Sequence, residues 1–255
     1  MSHPFDTAKV AEHFGIPAAD LGIALVPHSL DGHDYESVLL YDKRRDGARP
    51  GVMAVPNFMG IRQQALEICA ATIGADHAVL VADVYGKSKR PTSAEEAMAI
   101  IVPLKQNRAE LRKRMNAALS AFRSQGIVKL SKVGACGFCF GGTAALELAR
   151  SGAAVDAFVS LHGALDSPTP ADAANIKGAV LVLHGAQDPS VPKEQVHAFI
   201  DEMSATTIDW QLLHYGQAAH SYTDPDAARP GFFYHAPTAR RASRALRQFF
   251  AETLA

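Results

Sequence analysis

Cysteine is scarce in this chain: three residues, Cys69, Cys136 and Cys139, in 255. An odd and small number cannot build a disulfide framework, so reduced thiols are expected. Long apolar runs are missing too. No stretch approaches the roughly 18 residues that a membrane-crossing helix needs, and Met1-Ser2-His3-Pro4-Phe5-Asp6 lacks a basic segment followed by an apolar one. The expectation is a soluble, cytoplasmic protein. Neither sign of charge dominates: 25 Lys plus Arg stand against 26 Asp plus Glu, a formal net charge of -1. That excludes the strong field by which proteins collect nucleic acid or anionic membranes. No Walker loop, no Gly-x-Gly-x-x-Gly after a strand, no His-Glu-x-x-His and no second Cys pair occurs, so neither a cofactor nor a metal is implied. A small-molecule partner fits best, with the protein a monomer or a homodimer.

What the chain does have is 48% hydrophobic residues over a length that α/β folds commonly organise as one domain. We therefore expect a single domain over 1–255, with a polar N-terminal arm over 1–20. Short apolar runs alternate with longer stretches of helical period, the pattern of strand-helix units feeding a mostly parallel central sheet with helices on both faces. Strands are predicted near 22–27, 36–41, 51–56, 78–83, 132–137, 157–162, 180–184 and 208–215, the first two as an antiparallel edge. Helices are predicted over 61–72, 142–150, 192–203 and 238–253. Pro103 and Asn107 divide 93–122 into two more. The one long irregular stretch, 217–237, is of the kind that often carries function.

One of these junctions carries chemistry. Gly137-Phe138-Cys139-Phe140-Gly141-Gly142 ends a predicted strand and leads straight into a helix, a turn so tight that only small residues fit beside its central residue. Cys139 stands where a nucleophile would, at a helix N-terminus whose dipole and free N–H groups favour a thiolate. The amide of Phe140 would then donate to an oxyanion.

An acid and a base follow in the order nucleophile, acid, histidine. Asp188, in His184-Gly185-Ala186-Gln187-Asp188, lies just past the C-terminal end of a predicted strand, where α/β sheets build their sites. It would accept the imidazole N–H. His220, in Ala218-Ala219-His220-Ser221-Tyr222, opens the irregular stretch and can reach back to Cys139. His162 and His184 end strands beside glycine, where a structural hydrogen bond is expected, and His162 could also line the pocket. His214 and His235 are read as packing or surface residues. Lys87, Lys89 and Arg90 are read as a solvated surface that could alternatively meet an anion.

Cys136 and Cys139 also spell Cys-x-x-Cys, which leaves a thiol-disulfide reading open. Three extended residues separate α-carbons by roughly 10 Å, however, against about 4.4–6.8 Å in a disulfide. Cys136 and Cys69 are expected as small buried side chains.

Taken together, the Cys139 turn, Val159-Ser160-Leu161-His162-Gly163, the Asp188 and His220 segments and Ala82-Asp83-Val84-Tyr85-Gly86 resemble the dienelactone hydrolase family. The resemblance runs over about 52–250 and includes Tyr234. It implies an α/β-hydrolase fold and opening of esters or lactones by a Cys-His-Asp triad, here Cys139, His220 and Asp188. It also implies a second oxyanion amide from Phe58. Asn57, Met59, Tyr85, Lys87, Phe138, His162 and Tyr222 would surround the substrate, with Phe58, Met59, Phe138 and Phe140 making it apolar. In that family a Glu contacts the thiol, where this chain has Asn57, and two arginines bind the substrate carboxylate, where it has Lys87 and Asp224. An anionic dienelactone is therefore not the expected substrate. The rival from another class is a ligand-binding protein on a hydrolase scaffold that does no chemistry.

Overall fold

The computed structural model describes residues 3–255. Its frame is an eight-stranded sheet: β1 (Leu21–Leu30), β2 (His33–Asp42), β3 (Arg49–Val55), β4 (Ala78–Val81), β5 (Val128–Phe138), β6 (Ala157–Leu161), β7 (Ala179–Gly185) and β8 (Trp210–Tyr215). The spatial order is β1-β2-β4-β3-β5-β6-β7-β8. β1 and β2 form a hairpin, β2 lies antiparallel to β4, and every other neighbour is parallel. This is the mostly parallel sheet with an antiparallel edge that the apolar runs predict.

Helices cover both faces because the strands bury both. Along β3, Met53 and Val55 belong to one core cluster and Val52 and Ala54 to the other, as the two-residue period of a strand requires. The helices are α1 (Thr7–Phe14), α2 (Gln63–Ile73), α3 (Ala94–Gln106), α4 (Arg108–Arg123), α5 (Phe140–Arg150), α6 (Lys193–Ser204) and α7 (Ala236–Thr253). α4, α5 and α6 contribute to the first cluster, α1, α2 and α7 to the second.

The predicted arm over 1–20 is only partly irregular, because it contains α1. Asp6 caps that helix by accepting from the amides of Ala8 and Lys9, and Gly15 closes it in the left-handed conformation. Val10, Ala11 and Phe14 are buried in the α2/α7 layer. The division of 93–122 falls at Asn107 alone, since α3 runs through Pro103. Asn107 ends α3 and caps α4, its Oδ1 accepting from the amide of Glu110 at 3.1 Å.

Topology also forms a crevice at one end of the sheet. β3 pairs with β4 on one side and β5 on the other, so the chain reverses its direction of growth there, and the loops leaving β3 and β5 diverge over a crevice.

Candidate active site

At the end of β5 the backbone turns through Cys139, which adopts φ 56° and ψ -119°, a conformation that L residues avoid. The surroundings leave no space for side chains on either flank. A Cβ on Gly137 would stand 1.9 Å from the carbonyl oxygen of Gly141, and one on Gly141 would stand 2.1 Å from that of Val55. The glycines that mark this turn in the sequence are therefore steric necessities.

Cys139 is partly exposed and meets an imidazole: Sγ lies 3.0 Å from His220 Nε2. On its other side His220 Nδ1 lies 2.7 Å from Asp188 Oδ2. Asp188 sits on the turn leaving β7, its amide donating to Gly185 O at 3.0 Å and its Oδ1 accepting from the Ser190 amide at 2.8 Å. Thiol, imidazole and carboxylate thus form one hydrogen-bonded row drawn from three strand ends.

Burial disfavours a charged His220, but its bonds to Asp188 and Cys139 outweigh that, and the ring is pushed up to about 10. The histidine loop is itself stitched down. His220 N–H donates to Gly231 O at 3.0 Å, its carbonyl accepts from Phe233 at 3.1 Å, and the Phe232 ring lies edge-on at 5.1 Å. Phe232 carries no signal in the sequence beyond lying in the long irregular stretch.

The amides expected to hold an oxyanion are those of Phe140 and Phe58. Phe140 opens α5, where N–H groups have no intrahelical acceptor. The turn after β3 engages the amides of Met59, bound to Asn57 Oδ1 at 3.0 Å, and Gly60, bound to Asn57 O at 2.9 Å. It leaves that of Phe58 without an acceptor among the described residues.

The predicted substrate-binding residues divide differently. Asn57 is spent inside its loop and on Asp224, to which its Nδ2 donates at 3.1 Å. Tyr85 is buried and supports the same loop from below, donating from its hydroxyl to Phe58 O at 2.9 Å. Tyr222 is fully buried, its hydroxyl on Leu183 O at 2.9 Å. Lys87 is exposed and paired to Glu36 at 2.9 Å. Both nitrogens of His162 are engaged: Nδ1 lies 3.1 Å from the Cys139 amide and Nε2 lies 2.8 Å from Thr223 Oγ1. Phe138 and Met59 are buried, and Phe58 is half-buried. A cavity of about 10 Å³ lies between Asn57, Phe138, His162, Ser221 and Asp224. Arg90, read as solvated surface, instead braces the turn after β4, donating to Asp83 Oδ2 at 3.0 Å and to Gly86 O at 2.9 Å.

The other thiols stand apart from this row. Cys69 and Cys136 are completely buried among the apolar side chains under α2 and α7. Burial pushes Cys69 up to about 12 and Cys136 well above the ordinary thiol range. His184 and His214 stack edge to face at 5.0 Å, and burial lowers His184 to about 4. No helix among the described residues is long and apolar enough to cross a membrane.

Comparison with known proteins gives a consistent picture. The model of the dienelactone hydrolase family matches residues 37–254. A putative carboxymethylenebutenolidase of Salmonella typhimurium is 26% identical over 249 residues, covering 92% of this chain and 88% of that protein. A probable 2-oxo-3-(5-oxofuran-2-ylidene)propanoate lactonase of Bradyrhizobium is 27% identical over 78% of this chain and 85% of its own. Among solved structures, a dienelactone hydrolase-like promiscuous phosphotriesterase from metagenomic libraries superposes with a TM-score of 0.87 at 36% identity, covering 92% of this chain and all of that one.

Proposed function

Because this chain belongs to the dienelactone hydrolase family and is a hydrolase, we propose that it cleaves uncharged carboxylic esters and lactones through a Cys139 thiolate and an acyl-enzyme. The observation that carries this reading is the row Cys139 Sγ, His220, Asp188 Oδ2, with spacings of 3.0 and 2.7 Å. Imidazole held by a carboxylate takes the thiol proton, and the thiolate adds to the carbonyl carbon. The amides of Phe140 and Phe58 receive the oxyanion. Collapse expels the alkoxide, which takes its proton from the imidazolium. Once the sulfur is acylated it no longer favours a charged ring, so His220 becomes neutral, activates water, and the thioester is hydrolysed.

The preference for uncharged substrates rests on the charges around the turn. Lys87 is tied to Glu36. Asp224 joins the turn after β3 to the histidine loop, accepting from Asn57 at 3.1 Å and from Gln64 at 2.8 Å. A carboxylate bridging these loops repels a substrate anion. A second reading has one specific support, the 36% identical phosphotriesterase: the same thiolate and amides suit a neutral phosphotriester, whose phosphoryl oxygen would take the carbonyl oxygen's place.

The test is turnover of short p-nitrophenyl esters, δ-lactones and a neutral aryl phosphotriester by wild type and Cys139→Ala, with intact-mass detection of an acyl-enzyme. Ester turnover that disappears in Cys139→Ala is expected. Full retention by the variant overturns the proposal.

A further inference from the structure

We infer that His162 is a positioning residue for the nucleophile: a neutral imidazole that clamps the backbone of Cys139 to the loop carrying His220. This rests on the reading of Cys139 as the nucleophile. His162 follows β6, on the neighbour of the strand that bears Cys139, and it too is held at positive φ, 40°. Its backbone is anchored by donation from its N–H to Leu183 O at 3.0 Å. The side chain is only 2% exposed, which leaves it no contact with a substrate.

The two ring contacts settle the tautomer. The Cys139 amide can only donate, so Nδ1, at 3.1 Å, must be the unprotonated acceptor. The proton therefore sits on Nε2 and is donated to Thr223 Oγ1 at 2.8 Å. Thr223 lies three residues beyond His220 in the same loop. The ring also stands 5.3 Å from that of His220 and 4.9 Å from that of Tyr222, both edge to face. Protonation would remove the acceptor. Burial and the charge on His220 hold the His162 ring well below the ordinary imidazole range, which keeps the acceptor in place.

The cysteine amide needs this partner for direction more than for satisfaction. It also donates to Leu161 O at 3.0 Å, so losing the imidazole does not orphan a buried N–H. What is lost is the second of two anchors on a residue at φ 56° whose sulfur must stay 3.0 Å from His220 Nε2. Thr223 loses its donor at the same time, and the two loops are free to drift apart. A misplacement on the order of 1 Å at reacting atoms costs about 100-fold in rate.

The experiment compares wild type, His162→Leu, His162→Asn and Thr223→Val. One readout is the second-order rate of iodoacetamide alkylation on the Cys139 peptide; the others are kcat and KM for p-nitrophenyl acetate. His162→Leu is expected to lower both alkylation and kcat by about 10- to 100-fold while KM stays within about two-fold. His162→Asn, whose oxygen takes the place of Nδ1, is expected to recover about half of that loss on a logarithmic scale, with Thr223→Val lying between Leu and wild type. A packing role alone would move the melting temperature and leave kcat per folded molecule unchanged. The inference is overturned if the Leu and Val variants keep wild-type alkylation and kcat within about two-fold, or if Asn is as poor as Leu. Should His162→Leu not fold, Asn and Thr223→Val decide by the same criteria. Alkylation needs no substrate, so a wild type that alkylates quickly but turns over no ester refutes the ester reading and leaves the His162 comparison decisive.

Discussion

Replacing Asp188 by Asn tests the electrostatics of the site most directly. His220 is pushed up to about 10, and the gap from an ordinary imidazole near 6.5 corresponds to ~5 kcal/mol in favour of the charged ring. Burial alone would have lowered it, so this preference comes from the bonds to Asp188 and Cys139. Because burial opposes the charged ring, the two bonds together exceed this net value; shared about equally, removing the Asp188 charge costs at least ~2–3 kcal/mol, or at least about 30-fold in kcat/KM at pH 7. Asn can also turn its amide toward Nδ1 and trap the wrong tautomer, which adds to the loss.

The assay needs an ester with an alkyl leaving group, such as ethyl butyrate in a pH-stat, because p-nitrophenolate departs without a proton from the ring. Wild type should hold its activity until the imidazolium is lost near pH 10, and the variant should begin to lose it by about pH 8. Stability follows the same sign. A folded-state value above the ordinary one contributes stability fully below about pH 6.5 and loses it as pH rises through about 10. Asp188→Asn should therefore lower the melting temperature more at pH 6 than at pH 10. A variant with activity within about three-fold of wild type and an unmoved alkaline limb would refute the reasoning.

Iodoacetamide at neutral pH should modify Cys139 alone, since Cys69 and Cys136 are completely buried; a two-hydrogen mass loss joining Cys136 to Cys139 after mild oxidation would contradict this. Tyr85→Phe removes the 2.9 Å bond to Phe58 O and should lower kcat by about three- to ten-fold with little change in the melting temperature. An unchanged kcat would mean that the turn after β3 holds its amides without this support. Gly137→Ala places a methyl 1.9 Å from a backbone oxygen and should destabilise the protein by more than about 3 kcal/mol or prevent its purification; a stable, active variant would refute the steric reading. Asp224→Asn should raise kcat/KM for a hemisuccinate ester relative to its neutral analogue by about three- to ten-fold. A constant ratio would remove Asp224 from the account of specificity.

Strands and helices were legible where apolar period and turn residues agreed, as in β5, β7 and α7. α1 was missed although Asp6 and Gly15 mark its ends, because its apolar residues, Val10, Ala11 and Phe14, are too few to outweigh the polar ones around them. At Pro103 the helix continues because proline loses one amide bond, on an exposed face where water can replace it.

The order of Cys139, Asp188 and His220 along the chain, each at a strand end or just beyond it, is a local property, and a linear sequence can carry it. Glycines flanking Cys139 belong to the same class, since a turn that tight demands them from any chain that makes it. Which polar atoms remain free for a substrate is a different kind of fact. Asn57, Tyr85, His162 and Tyr222 look alike in sequence, as polar residues near a site, but their hydrogen-bonding capacity is taken by Asp224, Phe58, Thr223, the Cys139 amide and Leu183. Those partners lie 23 to 167 residues away in every case. Only the folding that gathers the turns after β3 and β4, the ends of β5, β6 and β7 and the histidine loop brings them within 3.1 Å.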